Sequence, residues 1–425
     1  MHGEPAFDPR WLEALAESLW PPASGRRRLL DLYLERRLEH RVTARRGVVA
    51  TAELRDEGCA VRCEAPSGPV LAAVNGCSPR AVAAALEAAG HVGRLPRLRP
   101  APAAEPEPPA GWRRWALETV ARLAPVPVVL RLVTRRAAVV RHGAWCEVQA
   151  PPLLLAHAGP GRSVLAPWPR PGIEDTLAPP AVPRGAHPPE PGTRLPVLFT
   201  SGTAGALLHE AVGHLTESDL VVSGASPLAC LLGAAVGPPS LEVADDPTRE
   251  DLAGAFSHDD EGIGAVPRTL LCEGELTGWL CDLEGARATG HPPGRGRRSS
   301  WRTPPEPRMS NLVAAPGTVP PAELEARLGH GLVVTEVSAA TVQRGSGTLV
   351  ISVESAWEVA PGRGRRPLAP FALAGEVLRV LAGIAPELGD DPTADPRFGW
   401  CRKGGRPLPT GIEAPSMIVE GLTVV

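Results

Sequence analysis

The segment His209-Glu210-Ala211-Val212-Gly213-His214 places two imidazoles and a carboxylate within six positions. Neutral imidazoles are good zinc ligands, and a glutamate beside one of them can reach a water at that metal. The spacing departs from HExxH, in which histidines four apart face one metal from one side of a helix. Here they are five apart, and on a regular α-helix that separation turns the second side chain about 140° from the first. Gly213 offers a remedy, because a π-type bulge or a helix end at the glycine brings both rings to one side. The helix carrying His209 is therefore expected to bulge or end near Gly213.

A catalytic zinc takes three protein ligands and keeps one position open, so a third donor is needed. Cys230, Cys272 and Cys281 lie in apolar runs and read as small buried hydrophobes. Cys401 differs. It sits in the polar, glycine-containing stretch Gly399-Trp400-Cys401-Arg402-Lys403-Gly404-Gly405, where adjacent cations favour the thiolate that binds metal. Lys403 is also the only lysine in a chain whose other cationic side chains are arginine. The acidic groups Asp245-Asp246 and Asp259-Asp260-Glu261 read as turn chemistry between strands rather than a second metal site.

These residues need elements to hold them. Apolar spacing predicts helices over Trp11–Leu19 and Leu29–Leu38, and an alanine-rich helix over Pro79–Gly90. Strands are expected at Gly47–Leu54, Ala60–Glu64, Val126–Val140, Trp145–Gln149 and Val164–Ala166. Proline-rich stretches near 95–111 and 167–196 read as linkers. Beyond them come short β-like runs at Leu241–Ala244, Arg268–Cys272, Leu276–Cys281, Leu332–Val337, Thr348–Val353 and Met417–Val424. Helices are expected around Gly205–His214, Ala322–Leu328 and Leu373–Ala382. The fold class is α+β: a mixed α/β N-terminal domain, 1–190, then a β-rich C-terminal domain, 191–425, with the HExxxH helix embedded.

Composition narrows the function. With 43% hydrophobic and 21% charged residues the chain is globular, and its net charge of −3 argues against a nucleic-acid partner. The arginine runs Arg26-Arg27-Arg28 and Arg295–Arg298 are short enough to be solvated surface. No run approaches the roughly 20 apolar residues of a membrane span, and the N-terminus lacks a signal-peptide layout, so a cytoplasmic protein is expected.

The chain resembles the TldD/PmbA family of metallopeptidases, and within it the TldD-like half. Carrying the likeness are Gly205–His214, Val243–Thr248, Asp259–Gly262, Pro307–Asn311, Cys401–Gly405, Gly411–Pro415 and Gly421–Val424. The likeness departs at Leu215–Asp219 and at Arg402, which stands where a glycine is usual. It implies one zinc per chain held by His209, His214 and Cys401, with Glu210 as general base of a peptidase acting on short or unfolded peptides. Leader segments of ribosomally made modified peptides are among the substrates implied. Arg308, Asn311 and Lys403 are candidates for oxyanion or substrate contacts. The likeness also implies a heterodimer with a PmbA/TldE-like subunit, a homodimer being the other arrangement, with peptide added as a strand to a sheet edge. Two other readings are a metal-dependent enzyme that modifies peptides in natural-product maturation and a non-catalytic peptide-binding subunit.

Overall fold

The computed structural model describes residues 6–20, 28–66, 68–91, 95–96, 100, 108–159, 162–170, 172–177 and 185–425. Most of the proline-rich stretch 95–111, part of 167–196, and Arg26 and Arg27 lie outside them. Asp8 caps the first helix, Pro9–Leu19, by accepting from the Arg10 N–H at 3.0 Å, and Pro9 opens it without forfeiting a bond. Its apolar stripe, Trp11, Leu12, Leu15, Ala16 and Leu19, is buried.

The leucine-rich segment after it is not the helix expected over Leu29–Leu38. It is strand Leu29–Arg45, paired along its length with a second long strand, Val48–Cys63. That second strand joins what the sequence suggested were two short ones. Period two accounts for the outcome. Leu32 and Leu34 face a core shared with the helices Pro9–Leu19 and Pro79–Ala88, while Tyr33 between them packs with Phe256 and Trp301 on the other side. Asp31, Glu35 and Arg37 share the alternation of Tyr33, so this is a polar face that a helical spacing of leucines conceals.

These strands belong to a seven-stranded antiparallel sheet running Val70–Asn75, Val48–Cys63, Leu29–Arg45, Val128–Arg141, Leu153–Ala158, Arg162–Pro167, with Ala144–Gln149 also on Val128–Arg141. Helix Trp112–Leu123, which no apolar pattern announced, joins Pro9–Leu19 and Pro79–Ala88 in covering one face. The other face receives residues of the second half, among them Ala253, Phe256 and Trp301. Trp301 lies so close to Gly58 that a Cβ there would sit 2.3 Å from its ring.

Buried ions join the two layers. Arg298 reaches Asp31 at 3.0 Å with neither side chain exposed, and its guanidinium lies 4.7 Å from the Tyr33 ring centre. Arg135 binds Asp260 at 2.6 Å and Arg62 binds Glu261 at 2.7 Å. Asp259 follows turn chemistry, accepting from the Glu261 and Ile263 N–H groups at 3.0 and 2.9 Å. Asp260 and Glu261 do more, answering arginines of the sheet. Of the run Arg295–Arg298 read as solvated surface, Arg295, Arg297 and Arg298 are all buried.

The second half carries a mixed eight-stranded sheet, in which Val197–Phe199 lies between Met417–Val419 and the long strand Gly331–Gln343. A six-stranded sheet sets Gly411–Ala414 parallel to Asn311–Ala314. The run expected as a helix over Leu373–Ala382 divides into strand Phe371–Glu376 and helix Val377–Ala382, and Leu276–Cys281 contributes only the short strand Glu275–Leu276. Cys281 is buried as expected, but Cys230 and Cys272 are exposed.

Inside the main core of this half runs the segment with the two histidines. It begins as α-helix Thr203–Leu208, widens into a π turn over His209–Gly213 and closes as a 3₁₀ turn over His214–Thr216. The His214 N–H bonds the His209 carbonyl, five residues back. Leu207, Leu208, Ala211, Val212 and Leu215 bury one side of it. Gly213 itself has ordinary helical angles, φ −55° and ψ −62°. Its smallness serves packing, since a Cβ there would lie 2.0 Å from the Met309 sulfur.

Two outcomes follow for stability. Gly213→Ala should destabilise the chain by about 1–3 kcal/mol through overpacking, and Met309→Ala in the same chain should recover part of it in denaturant unfolding. Additive losses in the double variant would remove the steric account. Asp282 caps helix Leu283–Thr289 by accepting from the Gly285 N–H at 2.7 Å, and burial followed by the Glu261 charge pushes its carboxyl from 3.8 up to about 6. Folded chain thus keeps a proton that unfolded chain releases near pH 4, and stability is lost as pH rises from about 4 to about 6. Asp282→Asn keeps a cap and removes that loss. Its stability relative to wild type should rise by about 1–2 kcal/mol between pH 4 and 7; a pH-independent difference would show that Asp282 ionises in the fold as it does in water.

Candidate metal centre

The π turn decides the geometry of the two histidines. Their ring centres lie 4.9 Å apart with planes at 89°, on the same side of a segment that a regular α-helix would have left facing two ways. Cys401 reaches them from a hairpin. Strands Trp400–Lys403 and Arg406–Pro409 pair across Gly404-Gly405, both at positive φ (55° and 76°), where glycine adopts a two-residue turn without strain. The polar, glycine-containing stretch is therefore part of a hairpin, and it places the Cys401 Sγ 3.5 Å from His214 Nε2. One ligand atom from each of His209, His214 and Cys401 falls within 4.8 Å of the others, all three residues being buried.

The donor set suits a cation. His214 Nδ1 lies 3.2 Å from Glu217 Oε2, so that Nε2 is the ring nitrogen turned to the thiol. His209 Nδ1 is buried with no hydrogen-bond partner among the described residues. Burial pushes the Cys401 thiol up, but the charge of His214 and hydrogen bonds from both rings outweigh it and hold the thiol well below its usual range. Two imidazoles and a thiol that converge in the interior are donors of the kind a divalent metal takes.

Supporting charges are arranged behind this set. Glu217 is fully buried, and although burial raises its carboxyl, the charges of His214 and Lys403 bring it down to about 2. Lys403 bridges it at 2.9 Å to Asp219 at 2.7 Å, and also donates to the Pro307 carbonyl at 3.0 Å. Arg308, also without exposure, donates to the Cys401 carbonyl at 2.7 Å and to its sulfur at 3.3 Å. Asn311 accepts from the Gly254 and Gly411 N–H groups at 2.8 and 3.0 Å and donates to the Asp246 carbonyl at 2.9 Å. Neither Arg308, Asn311 nor Lys403 lines the cavity beside the histidines. They brace the wall from behind, a placement that differs from the substrate contact expected of them. Glu217 was not anticipated; a carboxylate three residues after His214 is the signal that could have found it.

Glu210 is aimed the other way. With His209 and His214 it lines a cavity of about 500 Å³, closed on further sides by Val342, Arg397 and Trp400. Its Oε2 accepts from the Val342 N–H at 2.9 Å, at the end of strand Gly331–Gln343. Burial pushes its carboxyl up, against the pull of the two imidazoles.

Both the sequence and the fold of the chain are similar to those of known proteins. The family model of the PmbA/TldA metallopeptidase C-terminal domain matches residues 192–425. A metalloprotease TldD homolog of Buchnera aphidicola subsp. Acyrthosiphon pisum is 34% identical over 230 residues, 54% of this chain and 47% of the relative. Another from Haemophilus influenzae is 31% identical over 235 residues, 55% of this chain and 48% of its own length. The chain thus spans about half the length of the curated relatives it matches. In fold it is similar to the crystal structure of TldE from Thermococcus kodakarensis, with a TM-score of 0.68 at 15% identity over 93% of this chain and 96% of that one. By its matched C-terminal half, the chain belongs to the TldD/PmbA family of metallopeptidases.

Proposed function

We propose that the chain is a zinc-dependent peptidase whose metal is held by His209, His214 and Cys401, with Glu210 as general base. The observation that carries this reading is the convergence of a buried thiol and two imidazoles beside a buried glutamate that faces a cavity. When bound, the metal would polarise a scissile carbonyl and lower the pKa of water. Glu210 would take the proton of the attacking water and deliver it to the departing amide nitrogen. Its raised carboxyl suits that exchange, and the Val342 N–H fixes its orientation. Glu217 holds His214 in the tautomer that presents Nε2.

Substrates on this reading are short or unfolded peptides, because the floor of a cavity of about 500 Å³ lies among buried residues that a folded chain does not reach. Leader segments of ribosomally made modified peptides belong to that class. The residues of strand Gly331–Gln343 that line the cavity, Ser338 to Val342, offer backbone to an extended peptide. A PmbA/TldE-like subunit is the proposed partner, with a second copy of this chain as the other. Among the described residues no helix is long and apolar enough to cross a membrane.

Two variants test the site. Glu210→Gln should retain the metal of wild type by elemental analysis and lose peptide turnover by about 10²–10⁴-fold; full activity at equal metal content would remove Glu210 as the base. Lys403→Met leaves Glu217 without its closest cation, and should weaken metal retention by about 10–100-fold in competition with a chelator. Unchanged retention would mean that the ion triad does not act through His214.

A further inference from the structure

Arg297 carries a buried charge with no carboxylate in ion-pair contact, Asp260 and Asp245 acting on it only from a distance. Its residue is 7% exposed, and among the described residues it forms no ion pair, although arginines on either side of it all do. Its guanidinium donates to the carbonyls of Met309 and Pro409, the latter at 2.9 Å, and lies 5.4 Å from the Phe256 ring centre. Two carbonyls and a ring face soften the loss of water around a cation, but a fully desolvated guanidinium is ordinarily paired. Burial accordingly pulls this one down to about 10.

The unpaired charge lines a cavity. A space of about 200 Å³ lies between the seven-stranded sheet and the second half, with Arg37, Arg131, Arg135, Arg297 and Arg298 in its wall and Glu39 as the acidic member. Arg135 and Arg298 are spent on Asp260 and Asp31. Arg37 and Arg131 are held less closely, at 3.3 Å from Glu35 and 3.7 Å from Glu39, and the Nε of each is buried without a hydrogen-bond partner. Leu153, Leu165 and Phe256 supply apolar wall. Trp400 lines both this space and the cavity of Glu210, so the indole beside Cys401 is shared by the two compartments.

We propose that this second compartment receives a carboxylate of the bound peptide, with Arg297 as its counter-ion and Arg131 and Arg37 at its rim. The chain then selects peptides that bear a negative charge away from the bond presented to Glu210. The carboxylate is either an acidic side chain or the peptide's own C-terminus. A guanidinium with free donors in an apolar, partly enclosed space recognises both. This selectivity rests on the peptidase reading given above.

Calorimetric titration of the metal-loaded full chain, made Glu210→Gln so that peptide is bound and not cut, separates the cases. The probe is an N-acetylated peptide of about ten alanine, serine and leucine residues. It is used with a free or amidated C-terminus, and with one internal glutamate or glutamine. A carboxylate-bearing form should bind about tenfold or more tightly than its neutral counterpart, a preference that added salt reduces. Preference for the free terminus alone assigns the C-terminal carboxylate, and preference for glutamate assigns a side chain. Arg297→Met should abolish the preference while leaving the neutral peptide's affinity in place, and Arg297→Lys should restore part of it. Should Arg297→Met fail to fold, Arg131→Gln at the partly exposed rim should narrow the preference. Equal affinity of charged and neutral forms for the Glu210→Gln chain overturns the proposal and leaves Arg297 as a brace for two carbonyls, with peptide binding intact. Absence of binding by every form overturns the peptide reading itself, and this selectivity with it.

Discussion

A fully buried carboxylate, Glu217, is the point on which the second half of the molecule turns. Taking an ion out of water costs several kcal/mol, and only close opposite charge offsets it. Glu217 finds that charge in Lys403 at 2.9 Å, with His214 at 3.2 Å and Arg308 at 4.0 Å. Each partner comes from a different element: the 3₁₀ turn, the Trp400–Pro409 hairpin and the segment just before strand Asn311–Ala314. Separating any one of them strands a charge in the interior. The same requirement that holds these elements together sets Cys401 against the two histidines, so the site's geometry is a by-product of satisfying one anion.

The π turn is a second constraint of the same kind. A helix that widened nowhere would place His214 in the apolar core among Leu207, Ala211 and Leu215. Packing instead of backbone freedom accounts for the glycine within it, because Met309 occupies the space a Cβ at position 213 would take. Sequence spacing foretold a bulge near Gly213 but not why glycine stands there, since the sulfur that excludes a larger residue comes from almost a hundred positions away. Other misreadings share that origin. Leu29–Leu38 shows leucines at helical intervals, yet the partners that make it a strand, Val48–Cys63 and Val128–Arg141, are chosen by tertiary pairing. Chemistry was more legible than architecture: the histidines, glutamate and cysteine announce themselves by residue type, whereas Glu217 and the support roles of Arg308, Asn311 and Lys403 depend on distances that no local pattern encodes.

Arginine performs most of the interior electrostatics. Its planar fork can serve two acceptors at once, and its weaker hydration lowers the cost of burial relative to an ammonium. Arg62 reaches both Asp31 and Glu261, and Arg135 reaches both Glu35 and Asp260. The face of the seven-stranded sheet turned toward the second half is thereby stitched by bidentate contacts where an apolar seam would otherwise be expected. Such a junction specifies one register, because a shift by one residue would bring Leu32, Leu34 and Val61 to the face that Asp31, Glu35 and Arg62 occupy.

Lys403 is the only primary amine among the side chains of this chain, and it lies 3% exposed between Glu217, Asp219 and the Pro307 carbonyl. A surface of arginines offers nothing to reagents that acylate amines. Modification of a lysine in this molecule therefore reports one event, the parting of the hairpin from the turn that carries His214. The composition of the chain has made the candidate metal centre the one place among its side chains where amine chemistry reads the integrity of the fold.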